Sequence, residues 1–502
     1  MLITDNLLMA YQRCDRRSFL DVYGDLNEQD PPSDFFVKLM QETRLYQNSI
    51  IEQQSYHKPH YPQGDWKAGS QATIELMKQG VDRIYRGVLL QEEKNESSID
   101  SPSSIITLVS RPTLLIKQPG ESKLGKWIYV PTDIRLGKRP KLDYQIIIAF
   151  HSYLLENYQE VITEHGVLFL RDKGFYAVNL DLRTPEMLEI VKDLMELIVT
   201  KKEPEVFISR QKCNLCRWYS SCHQIAQSQK HLSLLPGVTP SRYQKLKLIN
   251  HTTLETLAKT TPETLETYPE FGEGIAKQVI QQAQASLENR ALLREPPKPT
   301  GDGGFGNEKD KHKSSLLPMM TPIEIYFDLE AQPELNLDYL HGLLIVNNQN
   351  NTEKYYGLLA ETPEEEEAIW ERFLEIVWSY PIAPIYHFCE YEIQTVKRLA
   401  KLYKTPIHLW RPLLNRFIDI HKEVTQTVTL PVESYALKPI ARWMGFEWRD
   451  SKANGAQCVF WYDQWLETRD RAFLDAIVTY NEDDCRATQQ VKNWLSHFLH
   501  NI

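Results

Sequence analysis

A chain of 502 residues with 42% hydrophobic and 25% charged side chains carries enough apolar surface for two to four globular domains, each with its own core. A net charge of −10 argues against broad, non-specific binding of polyanions while leaving room for a local basic groove. Asp5 and Arg13 interrupt the first apolar stretch and no run approaches the length of a membrane span, so neither a signal peptide nor a membrane partner is expected and the expected compartment is the cytoplasm. Seven cysteines in such a chain do not suggest disulfides, and their placement says more than their number.

Cys14 stands alone near the start, and Cys213, Cys216 and Cys222 form a C-x2-C-x5-C group. Thiolates at that spacing suit zinc or an iron–sulfur cluster, with His223 as an alternative fourth zinc ligand; the plainer reading is three idle thiols close together. The arrangement resembles the iron–sulfur staple of RecB-like nucleases, a family with the PD-(D/E)XK, restriction-endonuclease-like fold. That resemblance implies a [4Fe–4S] cluster on Cys14, Cys213, Cys216 and Cys222 that ties chain ends together, with zinc as the alternative. It also implies a catalytic core between the cysteines: an Asp, then a strand bearing Asp/Glu-x-Lys, then a helix with a Gln.

The frame of that core is present in a strand over 111–116, a Gly-containing hairpin at 119–122, a strand over 129–135 and a helix opening at Tyr144-Gln145. Its chemistry is altered. Thr113 stands where the first metal-binding Asp belongs, and a hydroxyl is a poor Mg²⁺ ligand beside a carboxylate. Arg135 replaces the Lys and cannot give up its proton near neutral pH. Upstream, only Tyr46-Gln47 and Glu52 offer polar groups. Asp133 alone cannot hold two ions, so Thr113, Asp133, Arg135 and Gln145 read as a degenerate site. Arg135, Lys138, Arg139 and Lys141 cluster after the strand as phosphate contacts or a solvated turn. The polar stretch 92–104 reads as a disordered loop.

Beyond the cysteines, glycine turns at Leu235-Pro236-Gly237-Val238 and Phe271-Gly272-Glu273-Gly274 separate short helical patterns. They resemble helix–hairpin–helix modules, in which backbone N–H groups at a helix start hold a phosphate; this makes Gly237, Gly272 and Gly274 candidate nucleic-acid contacts, assisted by Lys245, Lys247 and Lys277. A helical spacer is the alternative. Pro, Gly and Lys then dominate a linker over 295–320.

After the linker, an apolar run climbs into Asp328-Leu329-Glu330. On a strand these two acids point to one face, where they repel unless a cation lies between them. A second strand covers 340–346. Thr362-Pro363-Glu364-Glu365 reads as a capped helix start, so the acids at 364–367 are helix-start chemistry. Tyr391-Glu392 follows a further apolar stretch, Asp419 ends another strand, and Lys438 opens a helix that stops near Gly445. In the last helix Tyr480 and Asp484 are i and i+4, on one face.

An Asp-x-Glu strand, a mid-domain acid and a closing Tyr-Asn-x-x-Asp-Cys-x-Ala-Thr helix resemble the DEDDy 3′–5′ exonucleases of RNase H-like fold, in their YprB-like branch. The whole chain resembles a bacterial RecB-type nuclease family. The resemblance implies an α/β multidomain protein: a degenerate nuclease-fold domain over 1–230, a helix–hairpin–helix-like segment over 231–294, the linker, and an RNase H-like exonuclease domain over 321–502. It implies that Asp328, Glu330, Glu392 and Asp484 hold Mg²⁺ or Mn²⁺ and that Tyr480 orients the attacking water. His387, Lys438 and Arg486 are further candidates for phosphate contact. Glu392 departs from the family's usual Asp by one methylene, and Asp419 is its rival. The expected partner is DNA or RNA at strand ends. Two other readings remain: a catalytically degenerate scaffold of a processing complex, or an active RecB-like N-terminal domain.

Overall fold

The computed structural model describes residues 1–53, 55–94, 105–272, 274–294 and 320–501, which fall into two units, 1–225 and 226–502. All but the last residue of the linker expected over 295–320 and most of the loop expected over 92–104 lie outside the described residues. Glu92 and Glu93, assigned to that loop from sequence, instead belong to a strand.

The first unit opens with β1 (Leu2–Thr4) and α1 (Asp5–Arg13), started by the Thr4 side chain accepting the Leu7 N–H. Cys14 ends α1 and caps α2 (Asp15–Tyr23) through its sulfur. Two more helices follow, α3 (Asp34–Ile51) and α4 (Trp66–Lys78). The strands are β2 (Arg83–Tyr85), β3 (Leu89–Lys94), β4 (Ile105–Ser110), β5 (Leu114–Ser122) and β6 (Gly125–Arg135). After helix α5 (Leu142–Gln159) come β7 (His165–Leu170) and β8 (Gly174–Asn179).

A five-stranded sheet runs β2-β5-β6-β7-β8, with only β6 and β7 parallel; β1-β4-β3 form a smaller sheet. The parallel step needs a crossover, and α5 supplies it. Consecutive Ile146, Ile147, Ile148, Ala149 and Phe150 are all buried, so α5 is packed all round. The hairpin expected at Pro119-Gly120-Glu121-Ser122 lies further on: β5 continues to Ser122 and the turn falls at Lys123-Leu124. Pairing of Pro119 with Trp127 keeps the segment in the ladder. Helix α6 (Leu180–Thr200) then leads to α7 (Arg210–Cys213) and α8 (Tyr219–Ser228).

The second unit begins with four helices, α9 (Pro240–Leu248), α10 (Leu254–Ala258), α11 (Pro262–Glu266) and α12 (Ile275–Glu288), and a short strand β9 (Leu292–Leu293). Next, β10 (Ile323–Gln332), β11 (Leu337–Asn347) and β12 (Thr352–Leu359) form an antiparallel meander. Helix α13 (Glu366–Trp378) precedes β13 (Ile385–His387). Helices α14 (Tyr391–Leu402) and α15 (Ile407–Trp410) precede β14 (Phe417–Asp419). The sheet order is β12-β11-β10-β13-β14, with β13 and β14 parallel to β10. The chain closes through α16 (Ile420–Thr427), β15 (Val428–Thr429), α17 (Leu437–Trp443), α18 (Gly455–Thr468) and the long α19 (Arg471–His500). Strand β15 pairs with β9, and Gln282 of α12 donates to the Leu430 carbonyl at 2.5 Å, so the small helices belong to this unit.

Strand β10 is buried on both faces, and its alternation sorts two cores. Ile325, Phe327 and Leu329 join Trp370 and Phe373 of α13, while Tyr326 joins Ile477, Tyr480 and Val491 of α19. Asp328 and Glu330 therefore share the α19 face. Thr362 is the N-cap residue and Pro363 the first position, as expected, and the Thr362 side chain bonds that of Glu364. The first turn is 3-10, however, Thr362 makes no side-chain bond to the helix backbone, and the Glu365 carboxylate accepts the Glu361 N–H at 2.8 Å. Nor is Glu366 a solvated helix-start acid: it is buried and accepts from Arg398 and the Tyr403 hydroxyl, each at 2.6 Å.

Candidate metal centre

Asp328 and Glu330 rise from β10, and Asp484 faces them from α19. Among the described residues they form the one group of three acidic, His or Cys ligand atoms all within 4.8 Å of one another. Burial first, and then the Asp484 carboxylate, push the Asp328 and Glu330 acids well above the ordinary carboxylate range. Asp484 is raised to about 6 by burial, opposed by hydrogen bonds from the Trp448 indole N–H and the Tyr480 hydroxyl and by the Lys438 ammonium. The Trp448 bond is 2.6 Å long. Lys438 lies 5.3 Å from the Trp448 ring centre and 4.9 Å from that of Tyr480, and donates to the Ala453 carbonyl rather than to a carboxylate. Three converging acids under this mutual repulsion fit a hard divalent cation with oxygen ligands. Burial also pushes the Tyr480 phenol far above its usual range, so its hydroxyl keeps its proton.

Glu392 lies in the first turn of α14, 4% exposed, with its carboxylate 3.3 Å from Nδ1 of His387. It is outside the close triad, yet its charge contributes to raising Asp328. Asp419 is occupied otherwise: one carboxylate oxygen caps α16 by accepting the Lys422 N–H at 3.1 Å and the Cys389 N–H at 3.2 Å. His387, a candidate for phosphate contact from sequence, is fully buried and serves Glu392 instead. Arg486 is held by Glu482 at 2.9 Å and Glu353 at 2.7 Å. Sequence reasoning missed Trp448, and it quoted Asn481 within the closing motif without a role. Asn481 is buried and donates to Asp328 at 2.7 Å.

In the first unit, Asp133 is 2% exposed and its partners fill its hydrogen-bonding capacity. It accepts from the Thr113 N–H at 2.9 Å and the Thr113 hydroxyl at 3.0 Å, pairs with Arg135, and lies 3.4 Å from His151 Nε2. Burial opposes its charge, but the guanidinium and imidazole hold the acid well below the usual range. Gln145 faces other groups, donating to the Pro140 carbonyl at 2.7 Å and accepting from Arg183 at 3.1 Å. Gln47 donates to the Ile134 carbonyl at 3.0 Å. The Asp133 carboxylate is thus engaged by Thr113, Arg135 and His151 of its own unit.

Cys14, Cys213, Cys216 and Cys222 are unpaired and half-buried, and near enough for their charges to interact. Burial raises all four thiols. N–H groups already face the sulfurs: Arg17 donates to Cys14 at 3.4 Å and Ser209 to Cys213 at 3.3 Å. The Trp218 backbone serves Cys216, and the Arg16 side chain serves Cys222. His223 stacks on Tyr219 with ring centres 5.2 Å apart. In the helical segment, Gly237 and Gly274 take positive φ of 92° and 84°. Arg242 joins the two turns through the Gly237 and Glu270 carbonyls at 2.6 and 2.8 Å.

No helix among the described residues is long and apolar enough to cross a membrane. Comparison with curated proteins yields no match. Residues 325–496 match the family model of the RNase H superfamily, and that span contains Asp328, Glu330, Glu392, Tyr480 and Asp484. The C-terminal part of this α/β multidomain chain is therefore an RNase H-like domain, and that match, with the acidic triad, suggests nuclease-like, metal-dependent action on nucleic acid.

Proposed function

We propose that the protein is a 3′–5′ exonuclease acting on DNA or RNA ends, with its active site in the RNase H-like domain. The observation that carries this reading is the convergence of Asp328, Glu330 and Asp484 within 4.8 Å, bordered by the Tyr480 hydroxyl. These acids, with Glu392 at the margin, would hold Mg²⁺ or Mn²⁺. When bound, the ions supply an activated water and neutralise charge on the departing oxygen. Tyr480 keeps its proton and so orients the water by hydrogen bonding rather than acting as base. Lys438, close to Asp484 and Glu330 in charge terms, offsets substrate phosphate charge. A strand labelled at its 5′ end should give a shrinking ladder under Mg²⁺, and one carrying a blocked 3′ terminus should persist. Cutting from the 5′ end, or internal cutting of a circle, contradicts the polarity.

In this reading the RecB-like domain over 1–230 keeps its fold and has given up catalysis, because Arg135 and His151 occupy the acid that a metal would need. The segment over 231–294 lends a phosphate grip at Gly237, Gly272 and Gly274. The four cysteines hold a [4Fe–4S] cluster. Anaerobically purified protein should be brown with broad visible absorbance, and each Cys→Ala change at the four positions should bleach it. A colourless, zinc-loaded protein would overturn the cluster.

A further inference from the structure

Asp328 pairs across the sheet with Gly342 on β11, and Gly342 pairs with Gly357 on β12. Residues directly opposite in a ladder share a face, so beside the metal-facing acid lies a strip of sheet without side chains. Helix α19 comes down onto that strip. A Cβ at Gly342 would stand 1.6 Å from the Asn481 side-chain oxygen and 2.7 Å from its amide carbon, an impossible approach. At Gly357 a Cβ would meet Tyr355 at 3.2 Å and Val478 at 3.3 Å. The glycine opposite Asp328 is thus what lets the α19 amide reach the strand.

The amide has only one workable orientation. An ionised, metal-ligating Asp328 only accepts, so the group facing it is the NH₂, and Nδ2 donates to Oδ2 at 2.7 Å. The amide oxygen is then left to accept, and the Tyr355 hydroxyl donates to it at 2.8 Å. Burial pushes the Tyr355 phenol well above its ordinary range, which keeps that donor protonated. Tyr355, Asn481 and Asp328 form a directed relay from β12 over β11 to β10.

We propose that Asn481, oriented by Tyr355 and admitted by Gly342, is a positioning residue that occupies one oxygen of Asp328 and turns the other toward the divalent ion. This rests on the reading of Asp328 as a metal ligand. Groups that orient a ligating carboxylate typically change metal affinity or activity 10–100-fold when lost. The relay would also hold the two carboxylate oxygens of Asp328 inequivalent before any ion arrives.

The test is direct Mn²⁺ binding to the full-length chain, by calorimetry or by loss of the free-ion paramagnetic signal, alongside the Mn²⁺ dependence of cleavage. Asn481→Ala should weaken Mn²⁺ binding about 10–100-fold, move the Mn²⁺ midpoint for cleavage upward, and recover rate at high Mn²⁺. Tyr355→Phe removes one hydroxyl from a folded position and should shift the same midpoint in the same direction by a smaller factor. Asn481→Ala with wild-type Mn²⁺ affinity would overturn the proposal. So would lower stability with an unmoved midpoint, which marks a merely structural role. If the wild type binds Mn²⁺ at Asp328 but cleaves nothing, the nuclease reading fails while the relay stands.

Discussion

Asp328→Ala and Asp484→Ala should each reduce Mg²⁺-dependent cleavage by about 10³-fold or more, equivalent to ~4 kcal/mol of barrier. These two acids come from different elements, β10 and α19, and neither has a replacement within the close triad. Glu392→Gln should cost less, about 10–100-fold, because Glu392 lies outside the triad and acts on Asp328 through its charge. Folding should survive all three. Removing one like charge from a buried cluster relieves repulsion, so the metal-free Asp328→Asn protein should melt at a higher temperature than the metal-free wild type. Single-turnover cleavage and thermal melts on the same preparations check both halves. A variant that melts higher and cuts at the wild-type rate would remove Asp328 from the active site.

The second expected effect is a reversal of pH dependence by metal. Folded Asp328, Glu330 and Asp484 have raised pKa values, Asp484 to about 6, against about 4 in an unfolded chain. Between those values the folded protein holds more protons than the unfolded one, so stability falls as pH rises. The cluster's favourable contribution is complete below about pH 4 and is lost as pH climbs through 6 and above. A bound divalent ion stabilises the charged acids and so offsets both burial and repulsion. At a hundred times its dissociation constant it should add about 2.7 kcal/mol, and the gain should grow with pH. Melts from pH 5 to 8 with chelator or with Mn²⁺ measure this, and Asp328→Ala should abolish the Mn²⁺ gain.

What the sequence discloses about this site is its local part. Asp328 and Glu330 are two apart on a strand, Tyr480 and Asp484 four apart on a helix, and both periods assign a face without knowledge of any partner. The apolar residues that alternate with the acids, Phe327 before Asp328 and Leu329 after it, confirm the period by filling the opposite core. The remainder depends on pairings across the chain. Trp448 reaches Asp484 over 36 positions and Asn481 reaches Asp328 over 153, and no periodicity signals either. Gly342 is informative only once α19 is known to lie upon it.

The same limit explains the first unit. Thr113, just before β5, and Arg135, on β6, are legible as departures from the expected pattern, but His151, a further partner of Asp133, lies one helix later and is invisible until α5 packs on the sheet. Turn chemistry misled once. Pro119-Gly120 has turn composition, yet cross-strand pairing carries it past the expected hairpin. Glu366 misled in the opposite sense, a helix-start acid by position and a buried partner of Arg398 by packing.

The most direct measurement is degradation of a 5′-labelled single strand under Mg²⁺ by three proteins prepared side by side: wild type, Asp328→Asn and Asp133→Asn. The account predicts a ladder shortened from the 3′ end for the wild type and Asp133→Asn, abolished by chelator, and an intact strand with Asp328→Asn. Loss of cleavage in Asp133→Asn with retention in Asp328→Asn would contradict it and move the active site to the other unit.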